Sequence, residues 1–419
     1  MNPPDSPISR AARWLTFGSA VSILFGIAYS QSLLALALVA LLLSGEKLRL
    51  PPIRLLLALF VLGTILAFAF SPHPGEGLPQ LRKFYVFCEL VVVYSCLREM
   101  KWIRAVFLTW AGMAAITAMR GFVQFVQKLD QARQLHQNDY SYYVGERITG
   151  FMSHWNTFSA QEMFALIMLA AFLFFAPSSR KRLWVWIGCA VLMSMAVLLA
   201  ETRAVWIGTG IAALYLTWFW KRWMVLAAPV LVALAFLVSP PVIKDRFTSL
   251  LHPKGVDSNA FRLVTWRTGL EMIKAHPLLG IGPEGPKYHF DEWVPADVSR
   301  PLPAGWYGHL HNIYLQYSAE RGVPTMLILI CLLVKMIHDF WRGLRVLPPG
   351  RSNARFLLHG GIAVILATLA EGVFEYNLGD SEVLTMFLVV VACAYQAVPM
   401  KSDLEVPRPR AVEYPIKQN

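Results

Sequence analysis

Two short runs of this sequence carry residue types that do chemistry at neutral pH. The first is Gly308-His309-Leu310-His311-Asn312-Ile313-Tyr314-Leu315-Gln316-Tyr317, followed closely by Glu320-Arg321-Gly322. Histidines two apart can ligate a metal, but no His-Glu-x-x-His or similar third-ligand pattern accompanies them. A histidine with an ordinary pKa of ~6.5 is a natural general base; the plainer alternative is a histidine that only hydrogen-bonds within its loop. The second run is Glu201-Thr202-Arg203, the whole connection between two apolar stretches. An ionisable group so placed is costly unless it has a partner or a task. Arg203 therefore either binds an anion or pairs with Glu201. Arginine's planar fork matches phosphate oxygens two at a time; gathered on the outer face of a membrane protein, such arginines could bind a lipid-linked pyrophosphate, with simple lipid-headgroup contact the plainer alternative.

The elements that position these runs are apolar. The 419 residues are 56% hydrophobic and 15% charged, against roughly 25% charged in soluble proteins. The excess sits in blocks near the ~20 residues that a helix needs to cross a bilayer core. About twelve spans are expected, over 14–29, 31–44, 53–70, 84–97, 103–125, 157–176, 183–200, 204–220, 223–239, 323–341, 356–375 and 383–398. The first is read as an anchor rather than a cleaved signal, because no small-residue cleavage site follows it. Residues 14–44 form either two spans or one broken span.

If the N-terminus is inside, every inside connection is basic: Lys47, Arg49 and Arg54; Arg98, Lys101 and Arg104; Arg180, Lys181 and Arg182; Lys221 and Arg222; Arg342, Arg345, Arg351 and Arg355; and the tail. That is the positive-inside pattern, and it explains a net charge of +12 without nucleic acid. The expected fold class is an all-α polytopic membrane protein with about twelve transmembrane helices and one large periplasmic loop containing amphipathic helices. The expected division is a transmembrane bundle over 1–238, including an outside loop at 127–155; a large outside loop over 239–322; helices over 323–398; and a cytoplasmic tail over 399–419. Within the large loop, 261–276 reads as an amphipathic helix with Leu263, Trp266, Leu270 and Ile273 on one face, capped by Ser258 or Asn259 and ended by Pro277. Arg267, Glu271 and Lys274 fall on its polar side.

Outside segments should be poor in Lys and Arg, yet these carry Arg82, Lys83, Arg147, Arg203, Arg246, Arg262, Arg267, Lys287 and Arg300. Long loops tolerate such charges, but Arg203 is not in a long loop. No Gly-x-Ser-x-Gly, Walker or Gly-x-Gly-x-x-Gly motif is present. No Asp-x-Asp pair is present to clamp a divalent metal on a diphosphate. Cys88, Cys96, Cys189, Cys331 and Cys393 lie inside apolar runs and read as packing residues.

In these residues the chain resembles the O-antigen ligase and polymerase superfamily of bacterial envelopes, and most closely the O-antigen ligases. Arg147-Ile-Thr-Gly150-Phe-Met-Ser-His154-Trp-Asn156 is similar to the family's Arg-x-x-Gly segment, and Thr202-Arg203-Ala-Val-Trp206 to its short arginine turn. Arg262, Trp266, Pro277-Leu-Leu-Gly-Ile-Gly282, His309-x-His311-Asn312-x-Tyr314-Leu315-Gln316 and Glu320-x-Gly322 are similar to its large external loop.

The resemblance implies an inverting, metal-independent and cofactor-free glycosyl transfer at the periplasmic face of the inner membrane, in lipopolysaccharide biosynthesis. The donor would be a glycan on undecaprenyl pyrophosphate and the acceptor a lipid A–core sugar hydroxyl. It casts His311 as base and Arg203, Arg147 and Arg262 as diphosphate ligands. His309, Asn312, Tyr314, Gln316 and Glu320 would orient the base or meet the acceptor. An O-antigen polymerase or a protein-glycosylating oligosaccharyltransferase would use the same donor. A lipid-linked-oligosaccharide flippase would instead put charge between broken, repeated spans.

Overall fold

The computed structural model describes residues 6–177, 180–248 and 259–399; the expected tail beyond 399 and the expected cap Ser258 lie outside them. Among the described residues every regular element is helical. The chain opens with α1 (Pro7–Ser22) and α2 (Ile27–Leu43), which pack against each other as a hairpin, so residues 14–44 make two helices rather than one broken helix. Then come α3 (Arg54–Ala69), the short α4 (Leu78–Arg82), α5 (Cys88–Cys96), α6 (Met100–Gln134), α7 (Asp139–Gly145), α8 (Trp155–Phe175), α9 (Arg180–Leu199), α10 (Arg203–Trp220) and α11 (Ala228–Val238). The rest of the chain forms α12 (Pro241–Thr248), α13 (Asn259–Ala275), the one-turn α14 (Gly285–Tyr288), α15 (Ile313–Val346), α16 (Asn353–Glu371) and α17 (Ser381–Tyr395).

Among the described residues five stretches, Met100–Gln134, Trp155–Phe175, Arg182–Leu199, Ile313–Val346 and Asn353–Glu371, are long and apolar enough to cross a membrane, and α2, α3 and α17 are shorter apolar helices. The twelve expected spans are therefore not equal rods. The stretch expected at 84–97 starts as a 3-10 turn over Lys83–Phe87 and leaves only the nine-residue α5. At 1.5 Å per residue that is ~14 Å, half of a ~30 Å bilayer core. The stretch at 223–239 is likewise divided, by a 3-10 turn over Arg222–Ala227. Conversely α6 runs to Gln134, so the outside segment expected from 127 begins inside a helix.

α8 is the axis of the core. It packs against α6, α9, α10 and α16, and Phe158, Phe164 and Phe172 on it are fully buried. A predominantly apolar helix belongs in such a position, and its buried Gln161 and Glu162 are hydrogen-bonded to the Ile23 carbonyl and the Thr117 hydroxyl. α16 packs against α10 and α15, and α17 against α5 and α16. The expected bundles 1–238 and 323–398 thus interdigitate as a single core. Leu36, Leu55, Leu62, Val185 and Leu237 face outward, as lipid contact requires.

α15 contains the break that matters for the site. Gly322 sits at φ 79°, and Pro324 follows two residues on. A side chain at Gly322 would collide with the Leu278 carbonyl, because Pro277-Leu-Leu-Gly-Ile-Gly282 runs directly against the break. Ile281 N–H donates to the Ala319 carbonyl (2.8 Å), Gly282 N–H to Glu320 (3.2 Å), and Val323 N–H to Pro277 (2.8 Å). The two glycine-containing motifs are halves of one backbone contact. α13 lies on α15, with Val264 and Met272 in one cluster with Ala319 and Leu315. Leu263 and Leu270, on the face expected to lie on the membrane or on the helix bundle, do not pack on protein and are exposed. The helix is apolar on two sides, and periodicity alone does not say which side meets protein. Arg267 is on the polar side as expected, paired with Asp297 at 2.7 Å.

Candidate active site

A cavity of about 950 Å³ opens where the starts of α8, α10 and α17 meet the 239–312 segment and the α16–α17 connection. Its wall holds Arg147, Arg203, Arg246 and Arg262 together with His154, His309, His311 and Glu375. The start of α10 has no side-chain cap, so its first-turn N–H groups and partial positive charge favour the same sign of ligand as the arginines beside it.

Each arginine is held from a different element. Arg147 leads the turn into α8. Gln124 Oε1 accepts from the N–H groups of Thr149 (3.0 Å) and Gly150 (2.9 Å). Gly150 adopts φ 57° with the Phe158 ring where a side chain would sit. Arg147 Nε donates to the Val144 carbonyl at 3.0 Å, and its guanidinium lies over the Trp155 ring at 4.9 Å. Burial, then the nearby Arg246 and Arg262 charges, push its pKa down to about 9, against a partial offset from Glu201. A bound dianion would relieve that repulsion.

Arg203 is the first residue of α10 and is buried. The Thr202 hydroxyl before it accepts from Ser159 (3.2 Å), which ties the start of α10 to α8. Arg246 of α12 is also buried, its Nε donating to the Glu201 carbonyl at 3.2 Å. Arg262 of α13 donates to Glu375 at 2.7 Å.

That carboxylate is the centre of the site. Glu375 Oε2 lies 3.2 Å from His311 Nδ1, while Oε1 takes Arg262. Burial alone would raise its pKa; the hydrogen bond to His311 and the charges of His311 and Arg262 instead hold it well below the usual carboxylate range. On the other side of the ring, His311 Nε2 lies 3.1 Å from the Trp306 carbonyl. Both ring nitrogens thus face acceptors, and a neutral imidazole donates to only one of them. With Nδ1 donating to Glu375, Nε2 is the atom available to take a proton from a hydroxyl that displaces the carbonyl. The ring is fixed by an unusual backbone, with His311 at φ 47°, a conformation that for non-glycine residues concentrates at functional sites.

His309 Nδ1 accepts the His311 N–H at 3.1 Å. Burial, then the His311 charge, push the His309 pKa down to about 3, so it supports the loop as a neutral ring. His154 caps α8 by accepting from Asn156 N–H (3.2 Å), and burial lowers its pKa as well. Gln316 and Glu320 line the cavity; Gln316 Oε1 accepts from Leu310 N–H (2.7 Å) and its amide donates to Glu320 (2.8 Å). Asn312 and Tyr314 are not in the wall. Asn312 Oδ1 caps α15 by accepting from Tyr314 and Leu315 N–H, and Tyr314 O–H donates to the Leu369 carbonyl of α16. Both place the helix that carries the loop.

Sequence alone does not single out Glu375, nor Glu371 and Asp380, which also line the cavity. A signal exists: Glu371, Glu375, Asn377 and Asp380 cluster where one apolar stretch ends and the next begins, and a span drawn to 375 hides it. Arg246 stands out in the sequence only as one of the misplaced charges.

His309, His311 and Glu375 place their ligand atoms within 4.8 Å of one another, close enough by distance to hold an ion. The surrounding charge argues otherwise. Arg262 already occupies the carboxylate, and a dication there would sit beside Arg147, Arg203 and Arg246. No curated protein matches the chain. Residues 188–330, which include Arg203, Arg246, Arg262, His309 and His311, match the family model described as O-antigen ligase, the family that the motifs resemble.

Proposed function

We propose that the cavity is the active site of an inverting, metal-independent glycosyltransferase. In this reading it moves a glycan from undecaprenyl pyrophosphate to a sugar hydroxyl of lipid A–core at the periplasmic face of the bacterial inner membrane. Both termini are then cytoplasmic. One observation carries the reading: four arginines from four separate elements share a cavity with a histidine–carboxylate pair.

The acceptor hydroxyl gives its proton to His311 Nε2 as its oxygen attacks the anomeric carbon. The bond from that carbon to the diphosphate oxygen breaks on the opposite face, which inverts the centre. Charge grows on the leaving diphosphate, and Arg147, Arg203, Arg246 and Arg262 are placed to receive it, a stabilisation fixed in advance by the fold. Glu375 holds the imidazole in the productive tautomer and stabilises the imidazolium that forms.

The test is reconstitution of the full chain in lipid nanodiscs with lipid-linked donor and lipid A–core, in excess chelator. Transfer to lipid A–core is expected, with the anomeric configuration inverted. Chain growth on a second lipid-linked glycan, with lipid A–core left unmodified, would assign the polymerase reaction instead. Loss of transfer on chelation, restored by magnesium or manganese, would refute metal independence.

A further inference from the structure

Away from the arginines, the sequence contains two His-x-x-Glu runs: His73-Pro-Gly-Glu76 and His289-Phe-Asp-Glu292. Each folds as a 3-10 turn, over Pro74–Gly77 and Phe290–Glu292, with the histidine just before its first residue. At three residues per turn, positions i and i+3 eclipse, so each turn presents its histidine and its glutamate on one side. The two turns face each other. The imidazoles of His73 and His289 stack at 4.5 Å, 17° from parallel. His289 Nε2 lies 3.0 Å from Glu76 Oε2 and its Nδ1 lies 2.8 Å from Glu292 Oε1.

We propose that His73, Glu76 and His289 bind a divalent transition-metal ion of zinc's class, with Glu292 orienting His289 from behind. Ligand atoms of the three lie within 4.8 Å of one another. A tetrahedral ion with bonds of about 2.0–2.1 Å sets its ligand atoms ~3.3 Å apart, close to the 3.0 Å between Nε2 and Glu76. Two imidazoles and one carboxylate with an open fourth position is a set that suits zinc. The hydrogen bond from Nδ1 to Glu292 is the carboxylate–histidine contact that fixes a ligating ring.

The site joins two segments that both supply cavity wall. The turn at 73–77 precedes α4, which contributes Gln80, and the facing turn follows α14, which contributes Lys287. They already touch through the Gln80–Glu284 hydrogen bond and through Ser71, which donates to the Ile281 carbonyl at 3.3 Å. A metal would staple this rim without entering the transfer chemistry.

The experiment is zinc titration of the metal-stripped full chain, purified without a histidine tag, followed by calorimetry and by elemental analysis after desalting. Wild type and His311→Ala should each retain a single zinc, and magnesium should not compete. His289→Ala and His73→Asn should lose zinc; exposed His73 allows its variant to fold. Glu292→Gln should weaken zinc binding about 10- to 100-fold. Equal zinc binding by wild type and His289→Ala overturns the assignment, as does its absence in wild type, which would leave a protonated His289 between its two carboxylates. If His311→Ala removes the zinc, the ion belongs to the arginine-lined cavity and the proposal is likewise overturned.

Discussion

Replacing Glu375 by glutamine keeps the size of the side chain and removes one charge at the point where base and diphosphate site meet. The carboxylate has two jobs, His311 at 3.2 Å and Arg262 at 2.7 Å, and it is 5% exposed. An amide has one accepting oxygen. If that oxygen stays on Arg262, the NH₂ faces His311 Nδ1 and forces the proton to Nε2, the wrong atom for a base. If the amide flips, its NH₂ meets the Arg262 guanidinium, and a charge-assisted bond worth about 1.5–3 kcal/mol is lost. In the first arrangement the positioned base fails, which costs about 10²–10⁴ in rate, or ~2.7–5.5 kcal/mol of barrier; in the second the ring keeps its tautomer, but the imidazolium that forms loses its charged partner. Donor binding should be retained or improve, because the arginines remain and a competing anion is gone. Initial transfer rates and donor affinity, measured on one nanodisc preparation, separate the two effects. The double variant with His311→Ala should be no slower than His311→Ala alone, since the pair acts as a unit. A wild-type rate for Glu375→Gln would refute the orienting role, and additive losses in the double variant would refute the pairing.

Other expectations test other parts of the argument. Arg203→Ala should weaken donor binding about 10- to 100-fold, as loss of a charge-assisted bond predicts, and Arg203→Lys should recover only part of it; unchanged affinity would make Arg203 structural. His309, with a folded pKa of about 3 and an ordinary value of ~6.5, binds more protons unfolded than folded between those values. Acidification through that window should therefore cost up to ~1.4 kcal/mol per pH unit, and His309→Asn should flatten the fall of Tm, measured from pH 7 to 5. Reporter fusions after Arg182, Arg222 and Arg345 should report cytoplasm and fusions within 257–308 periplasm; the reverse would separate the cavity from its substrates.

Hydropathy located the helical segments well, because burial in lipid or core and an apolar composition are the same requirement. It did not measure them. Short α5 and α11 and the over-long α6 depend on where 3-10 turns interrupt the chain, which composition does not register. The motif residues nearest the chemistry, Arg147, Arg203, Arg262 and His311, do share one cavity. Asn312 and Tyr314 sit inside the same motif but serve α15. A polar residue next to a base and a polar residue that caps the helix behind it look alike in one dimension. Glu375 lies 64 positions from its partner His311, so spacing could not connect them. Only the packing of α15 against α16 does so.

That packing makes the two halves of the proposed reaction depend on each other. Glu375 is hydrogen-bonded to His311 and ion-paired to Arg262 at once. As His311 accepts the acceptor's proton, Glu375 is drawn towards the new imidazolium and its hold on Arg262 weakens. Arg262 is then freer to follow the charge that grows on the departing diphosphate. The same carboxylate keeps Arg262 neutralised before a donor arrives, in a cavity where Arg147 already carries its charge at a cost. A site built from arginines alone would bind diphosphate tightly and release it slowly. A buried acid that competes for one of them limits that affinity, and it does so most strongly once the proton has left His311.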